Sequence, residues 1–282
     1  MHAKVVVITG ATSGIGQVTA ERLAGTGARI VQVARDRSRG EAAVARLRER
    51  APGLAHRVHY ADLSRIADTR RVAAEIAAAE PRVDVLINNA GAVFNSRRVT
   101  EDGLELTFAT NHMAYFLLTH GLRERLSAAA PARVINTASD AHRRGRLDFD
   151  DLQSARDYRG LAAYGLSKLC NILYTRELAR RWAGTGVTAN SLHPGFVATR
   201  FGHRSGGLLS YAIRVAQLFA ISTEKGAETL VYLASSPEVA TISGGYFYKC
   251  QLSTPTREAQ DDAAAKRLWG ETAKLAGLDK EN

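Results

Sequence analysis

The stretch "KVVVITGATSGIG", residues 4–16, decides the fold. Its first half is a short β-branched run, the pattern of a strand buried on both faces. Its second half sets Gly10, Gly14 and Gly16 where that strand must turn into a helix. Gly10 permits the tight turn, Gly14 lets backbone approach a pyrophosphate, and Gly16 allows close helix–strand packing. The N-terminus of the following helix then offers free N–H groups to an anion. The spacing is GxxxGxG, a departure from the GxGxxG fingerprint of the generic dinucleotide-binding turn. A plain tight turn would not need three glycines.

The same alternation continues outward from this unit. Runs at 28–34, 57–61, 83–88, 133–138 and 187–193 resemble the first strand, and "GGYFYKC" (244–250) is a further candidate. Helical patterns occupy 15–26, 38–50, 65–79, 102–128 and 162–183, with others at 207–221, 224–236 and 255–276. Strand–helix alternation of this length predicts right-handed βαβ units. The expected fold is therefore α/β, a Rossmann-type doubly wound parallel sheet of about seven strands with helices on both faces. No linker-like stretch interrupts the series, so residues 1–282 are read as a single domain.

Composition excludes several classes. Hydrophobic content of 45% with 23% charged residues is that of a globular protein. The longest apolar runs are too short to span a bilayer, and no signal peptide is visible, so no stable membrane insertion is expected. The net charge of +10 is spread over many segments, without a basic stripe or interleaved aromatics, so no nucleic-acid partner is expected. Cys170 and Cys250 lack a metal or disulfide spacing and fit a reducing cytoplasm. His112, His142 and His193 share no metal-ligand spacing.

The strand ends carry the candidate site. The second strand ends in Ala34–Arg35, where an acidic residue would suit a free ribose hydroxyl. Arg35 could instead clamp a 2′-phosphate, which points to NADP(H). Asp36 could neutralise it or face solvent, and Arg37 and Arg39 could assist it, although a solvated helix start suits them better. Asp62 in "YADLS" could accept from an adenine amino group or cap the next helix, a role open to Ser64 as well. In "INNAG" (87–91) the Asn side chains can stitch strand ends together, while Ala90 and Gly91 leave room for a flat ring. Ser139 could donate to a substrate oxygen or simply cap a turn.

Tyr164 and Lys168 lie on one helical face at i and i+4. A free phenol has a pKa of about 10 and is a poor proton carrier at neutral pH. A nearby ammonium would favour the phenolate and bring it toward the working range. Such a pair also occurs on ordinary amphipathic helices, so its meaning comes from the strand-end motifs around it.

Taken in order, "TGATSGIG", "ADL", "NNAG", Asn111 in "TNHMAYFLLT", Ser139, "YGLSK" and "HPGFVAT" resemble the short-chain dehydrogenase/reductase family over nearly the whole chain. The resemblance implies that Tyr164 is the acid/base, that Lys168 lowers its pKa and holds the ribose hydroxyls, and that Ser139 orients the substrate carbonyl. It implies that Asn111 anchors a water joining Lys168 to solvent. Gly10, Ser13, Gly14, Ile15, Gly16, Arg35, Asp62, Leu63, Asn88, Ala90, Gly91, Tyr164, Lys168, Pro194, Gly195, Val197 and Thr199 would surround the cofactor.

The insertion between Ser139 and Tyr164, "NHMAYFLLTHGL" and the tail "RLWGETAKLAGL" are similar to the retinol dehydrogenase-like branch. That branch implies NADP(H) and a small hydrophobic carbonyl or alcohol substrate. Two departures stand out: the sequence opens without the N-terminal membrane anchor of many relatives, so a membrane location is not expected to carry over, and Ala138 replaces the first Ser of a usual Ser-Ser pair. The expectation is an NADP(H)-dependent carbonyl reductase or alcohol dehydrogenase, with 207–221 as a lid over an apolar pocket. Reduction of an activated C=C bond, or NADP(H) sensing without turnover, are the alternatives. The helix faces at 102–128 and 162–183, common dimer surfaces in the family, leave a homo-oligomer open.

Overall fold

The computed structural model describes residues 1–195 and 222–278. Val197, Thr199 and the proposed lid 207–221 lie outside the described residues. The strands are β1 (Val5–Thr9), β2 (Arg29–Ala34), β3 (Arg57–Tyr60), β4 (Val85–Asn88), β5 (Ala132–Thr137), β6 (Val187–Leu192), β7 (Tyr246–Tyr248) and β8 (Gln251–Leu252). They form one sheet in the order β3-β2-β1-β4-β5-β6-β7-β8. The expected parallel sheet is present from β3 to β7, and β8 adds an antiparallel edge. The expected strand 244–250 is shorter, because Lys249 and Cys250 take φ of +50° and +60° and turn the chain into β8.

All five side chains of β1 are buried, and the pleat sends them to two cores. Val6 and Ile8 join the layer built with α1 (Gly14–Gly25), α2 (Arg37–Arg50) and α8 (Thr223–Ser235). Val5 and Val7 join the layer built with α3 (Ile66–Ala79), α5 (Ala114–Gly121), α7 (Gly160–Arg181) and α9 (Asp262–Leu275). The strand order reverses between β1 and β4, which opens a crevice at their carboxyl ends. The Gly-rich turn and the "NNAG" turn border it.

The predicted helix 102–128 starts later and is broken. Residues 98–105 instead form a small loop closed by a Val99–Glu105 bridge. The buried Glu105 carboxylate then accepts from Thr107 and Phe108 N–H, both at 2.8 Å, and starts α4 (Leu106–Phe108). A π-helical turn, Ala109–Met113, follows before α5, and α6 (Arg123–Ala128) begins after a break at Leu122.

Charge is concentrated at the opposite, amino-terminal edge of the sheet. Glu80, fully buried, pairs with Arg29 and Arg57, and Asp84 pairs with Lys4 and Arg82. Burial pushes the Asp84 carboxyl up, but Arg82, Lys4 and the Val5 N–H together hold it below its usual value.

Candidate active site

The Gly-rich turn is pressed against the "NNAG" turn. Gly10 and Gly14 take φ of +68° and +60°, which only glycine adopts readily. A Cβ on Gly10 would lie 2.8 Å from Ala90 Cα, and one on Gly16 would lie 2.3 Å from the Gly10 carbonyl oxygen. Thr9 Oγ1 accepts from the N–H of Asn89 and of Ala90, both at 2.9 Å, and Asn89 Nδ2 donates back to Thr9 O at 3.1 Å. Asn88 stitches further, donating to Asn136 Oδ1 at 2.9 Å and Thr119 Oγ1 at 3.1 Å. Its side chain is fully buried between strands and serves the sheet, so only its backbone is left to border a cofactor.

Helix α1 begins without a side-chain cap, since Ser13 makes no bond to its first turn. The Ser13 hydroxyl instead accepts from Arg39 Nη2 at 3.1 Å. The first-turn N–H groups of Gly14, Ile15 and Gly16 are thereby left for an anion. A dinucleotide's pyrophosphate fits this cradle.

Asp36 is neither Arg35's partner nor idle: its carboxylate accepts from Arg39 N–H at 2.8 Å and caps α2. Arg37 covers the Tyr60 ring, 4.7 Å from its centroid. Arg35 is exposed and, among the described residues, engages no side chain. Asp62 Oδ1 accepts from Ser64 N–H and hydroxyl, so neither residue caps α3. That cap is Asp102, whose carboxylate accepts from Ile66 N–H at 2.9 Å. Leu63 is half-buried against the core. At the end of β6, Pro194 and Gly195 are half-buried, and Gly195 (φ +90°) donates to His193 Nδ1 at 3.1 Å.

Two glycines missed at the sequence level bring the reacting groups together. Gly145 and Gly165 meet backbone to backbone; a Cβ on Gly165 would lie 2.6 Å from Ala141 O and 2.9 Å from Gly145 N. This contact seats α7 on the short 3₁₀ turn Asp140–Arg144, which Ser139 starts by accepting from Ala141 N–H at 3.2 Å. The Ser139 side chain is thereby brought close enough to the Tyr164 phenol to pull its pKa down.

Lys168 stands one turn on, almost fully buried, with Nζ 5.6 Å from the Tyr164 ring centroid and 5.5 Å from that of Tyr115. It donates to Thr137 O at 2.8 Å. Burial pushes the Tyr164 phenol up to about 12, against the pull of Ser139, and brings Lys168 down to about 7. The expected lowering of the phenol by Lys168 is not seen in the protein alone: burial raises it, and the group that opposes burial is Ser139.

Asn111 sits on the π turn. Its amide pairs both ways with Ala92, accepting at 2.8 Å and donating at 2.9 Å, and also donates to Ser167 Oγ at 3.0 Å. Its carbonyl accepts from Asn171 Nδ2 at 2.9 Å. Asn171 was not singled out from the sequence, although its i+3 spacing from Lys168 places it on the same helical face. Tyr115, whose hydroxyl donates to Ala90 O at 2.9 Å, was also missed.

The insertion ahead of α7 is tied down on two sides. Gln153 Oε1 accepts from Glu105 N–H at 2.7 Å, and Tyr158 donates to Phe94 O at 3.0 Å. Leu147 N–H donates to Glu258 at 2.8 Å.

A glycine-rich turn at the first crossover, with Ser139, Tyr164 and Lys168 gathered at the carboxyl ends of the strands, defines a nicotinamide-dependent oxidoreductase. Residues 4–206 match the family model described as short chain dehydrogenase, and the chain belongs to the short-chain dehydrogenase/reductase family. Within that family it is retinol dehydrogenase-like. It is 43% identical to human retinol dehydrogenase 13 over 284 residues, covering 98% of this chain and 85% of that protein. It is 42% identical to human retinol dehydrogenase 14 over 300 residues, covering 99% and 88%. Among solved structures, a protein from Mycobacterium paratuberculosis superimposes with a TM-score of 0.78 at 32% identity, covering 98% of this chain and 94% of the other. The Pseudomonas aeruginosa RhlG/NADP active-site complex gives a TM-score of 0.70 at 27% identity, covering 88% and 94%.

Proposed function

We propose that this chain is an NADP(H)-dependent carbonyl reductase or alcohol dehydrogenase acting on a small hydrophobic substrate. The observation that carries the reading is Lys168 Nζ 5.6 Å from the Tyr164 ring, on a helix seated by Gly165 against the turn that Ser139 starts, at the mouth of the Gly-rich crevice. The bound nicotinamide supplies or accepts the hydride. Tyr164 gives its proton to the carbonyl oxygen as the carbon is reduced, and takes it back in the reverse direction. Ser139 holds the same oxygen by donating to it, which fixes the carbonyl against the phenol. Lys168 stabilises the phenolate side of the transfer and grips the ribose. Asn111 holds the Ala92 backbone that walls this side of the site and anchors a water leading from Lys168 to solvent.

Arg35, exposed after β2 and engaging no side chain among the described residues, is the group available for a 2′-phosphate, and this supports NADP(H) over NAD(H). The names of the relatives support an apolar alcohol or aldehyde as substrate. A reducing cytoplasm belongs to the same reading, with Cys170 and Cys250 free. The test is NADPH oxidation over a panel of aldehydes, ketones, quinones and enones with product identification. Full activity in Tyr164→Phe would overturn the mechanism.

A further inference from the structure

Behind the reacting groups, buried side chains form a continuous chain of hydrogen bonds from Lys168 to the C-terminal helix. Lys168 Nζ donates to Thr137 O at 2.8 Å. Asn171 donates to the same carbonyl at 3.3 Å and to Asn111 O at 2.9 Å. Both hydrogens of its amide are then placed, so Asn171 Oδ1 must act as an acceptor. The group facing it is His112 Nδ1, at 3.3 Å. Burial holds His112 down to about 4, so the ring is neutral and carries one proton. With that proton on Nδ1, Nε2 accepts from Thr272 Oγ1 at 3.0 Å. Asn171, His112 and Thr272 are all fully buried.

We propose that Asn171 and His112 are positioning residues for Lys168, with Thr272 of α9 fixing the ring that orients the pair. This rests on the reading of Lys168 given above. Thr137 ends β5 and Asn111 lies on the π turn, two elements that Asn171 joins through a single amide. A carbonyl shared by Lys168 and Asn171 cannot shift without moving the ammonium. The two carbonyl oxygens hold the amide against flipping, and the imidazole adds to this, because a flipped amide would also set its NH2 against the Nδ1–H. The C-terminal helix therefore reaches the catalytic lysine through three side chains.

The experiment compares full-length wild type with Asn171→Ala, Thr272→Val, Thr272→Ser and Lys168→Ala. Steady-state kinetics with NADPH and a reducible aldehyde, NADPH dissociation constants and melting temperatures are measured for each. Asn171→Ala is expected to lower kcat about 10- to 100-fold with the aldehyde KM changed less than about twofold. It is also expected to weaken NADPH binding, a readout that needs no substrate. Thr272→Val should show the same pattern to a smaller degree, and Thr272→Ser should restore wild-type values. Asn171→Ala and Thr272→Val with wild-type kcat and NADPH affinity, whatever their melting temperatures, would overturn the inference. If Asn171→Ala does not fold, the near-isosteric Thr272→Val decides. Full activity in Lys168→Ala would sink the reading of the site itself; an inactive Lys168→Ala beside unaffected Asn171 and Thr272 variants would sink this inference alone.

Discussion

Arg39 reaches from the first turn of α2 to donate to the Ser13 hydroxyl of the Gly-rich turn, 3.1 Å away. This bond closes the gap between the two places where a dinucleotide would present phosphate. It also gives Arg39 a task different from that of Arg35, which is exposed at the end of β2.

The two arginines are therefore expected to separate in a binding assay. Arg35→Ala should weaken NADPH by about 10- to 100-fold, the loss of a hydrogen bond to a charged group of roughly 1.5–3 kcal/mol, and leave NADH unchanged. Arg39→Ala should weaken both cofactors to a smaller and similar degree. Titration of each variant with each nucleotide checks this, and equal affinity of wild type for both would defeat the 2′-phosphate clamp.

Removing the phenol should isolate proton transfer from binding. Tyr164→Phe is expected to reduce kcat by about 100- to 10,000-fold, the range of a lost general acid–base group. NADPH affinity should stay close to wild type. Single-turnover kinetics together with nucleotide titration measure both quantities.

Gly16→Ala tests the contact between the two turns. The new Cβ would fall 2.3 Å from Gly10 O and 2.5 Å from Asn89 Nδ2, so the turn must shift. Overpacking of this kind costs about 1–3 kcal/mol. Thermal melting should show a lower midpoint, and added NADPH should raise that midpoint less than it does in wild type.

His112 gives stability a defined pH dependence. Its folded pKa of about 4 lies below the ordinary 6.5, so the neutral ring's contribution is complete above pH 6.5. It is lost as pH falls toward 4, by about 3 kcal/mol for this one group. His56, His142 and His193 are lowered by burial as well, and add to the slope. Urea unfolding of His112→Asn between pH 7 and pH 4 should start from a lower stability and fall less steeply than wild type. Parallel curves would show that His112 does not titrate in this window.

The C-terminal helix packs on α5 and α7, helices whose faces are common dimer surfaces in the family. Trp269 of α9 stacks on Tyr174 of α7 at 5.6 Å and meets Phe116 and His120 of α5 at 5.2 and 5.1 Å. Arg176 adds an ion pair to Asp262 at 2.7 Å. Trp269→Ala is expected to cost about 3–5 kcal/mol, read from denaturant midpoints. If a dimer needed this covered face, light scattering should find wild type as a monomer.

The parts of the site that lie at strand ends were legible, because each follows directly from its own strand. Gly10, Gly14 and Gly16 announce the turn, and "INNAG" announces the stitching of β1, β4 and β5. What escaped were pairings between distant segments. The Gly145–Gly165 contact looks like two unrelated glycines until α7 is seated. Asp102 caps a helix 36 residues behind it, which no local pattern encodes. Spacing alone also could not tell a continuous helix at 102–128 from one delayed by the Glu105 cap and loosened at Ala109–Met113. The short β8 is only two residues long and lacks any alternation to read.

The hydrogen bond from Thr272 to His112 links positions 160 residues apart, near the end of the chain. A ribosome adds residues at about 5–20 per second, so the segment bearing Lys168 emerges several seconds before α9 can dock. During that interval the sheet up to β6 can assemble, but the aromatic face of α7 and α5 stays open to water. Until α9 docks, the bond from Thr272 to His112 cannot form. Truncation within α9, through a premature stop codon or a protease cut, is expected to remove that bond and to expose the aromatic face of α7 and α5, read as a lower melting temperature.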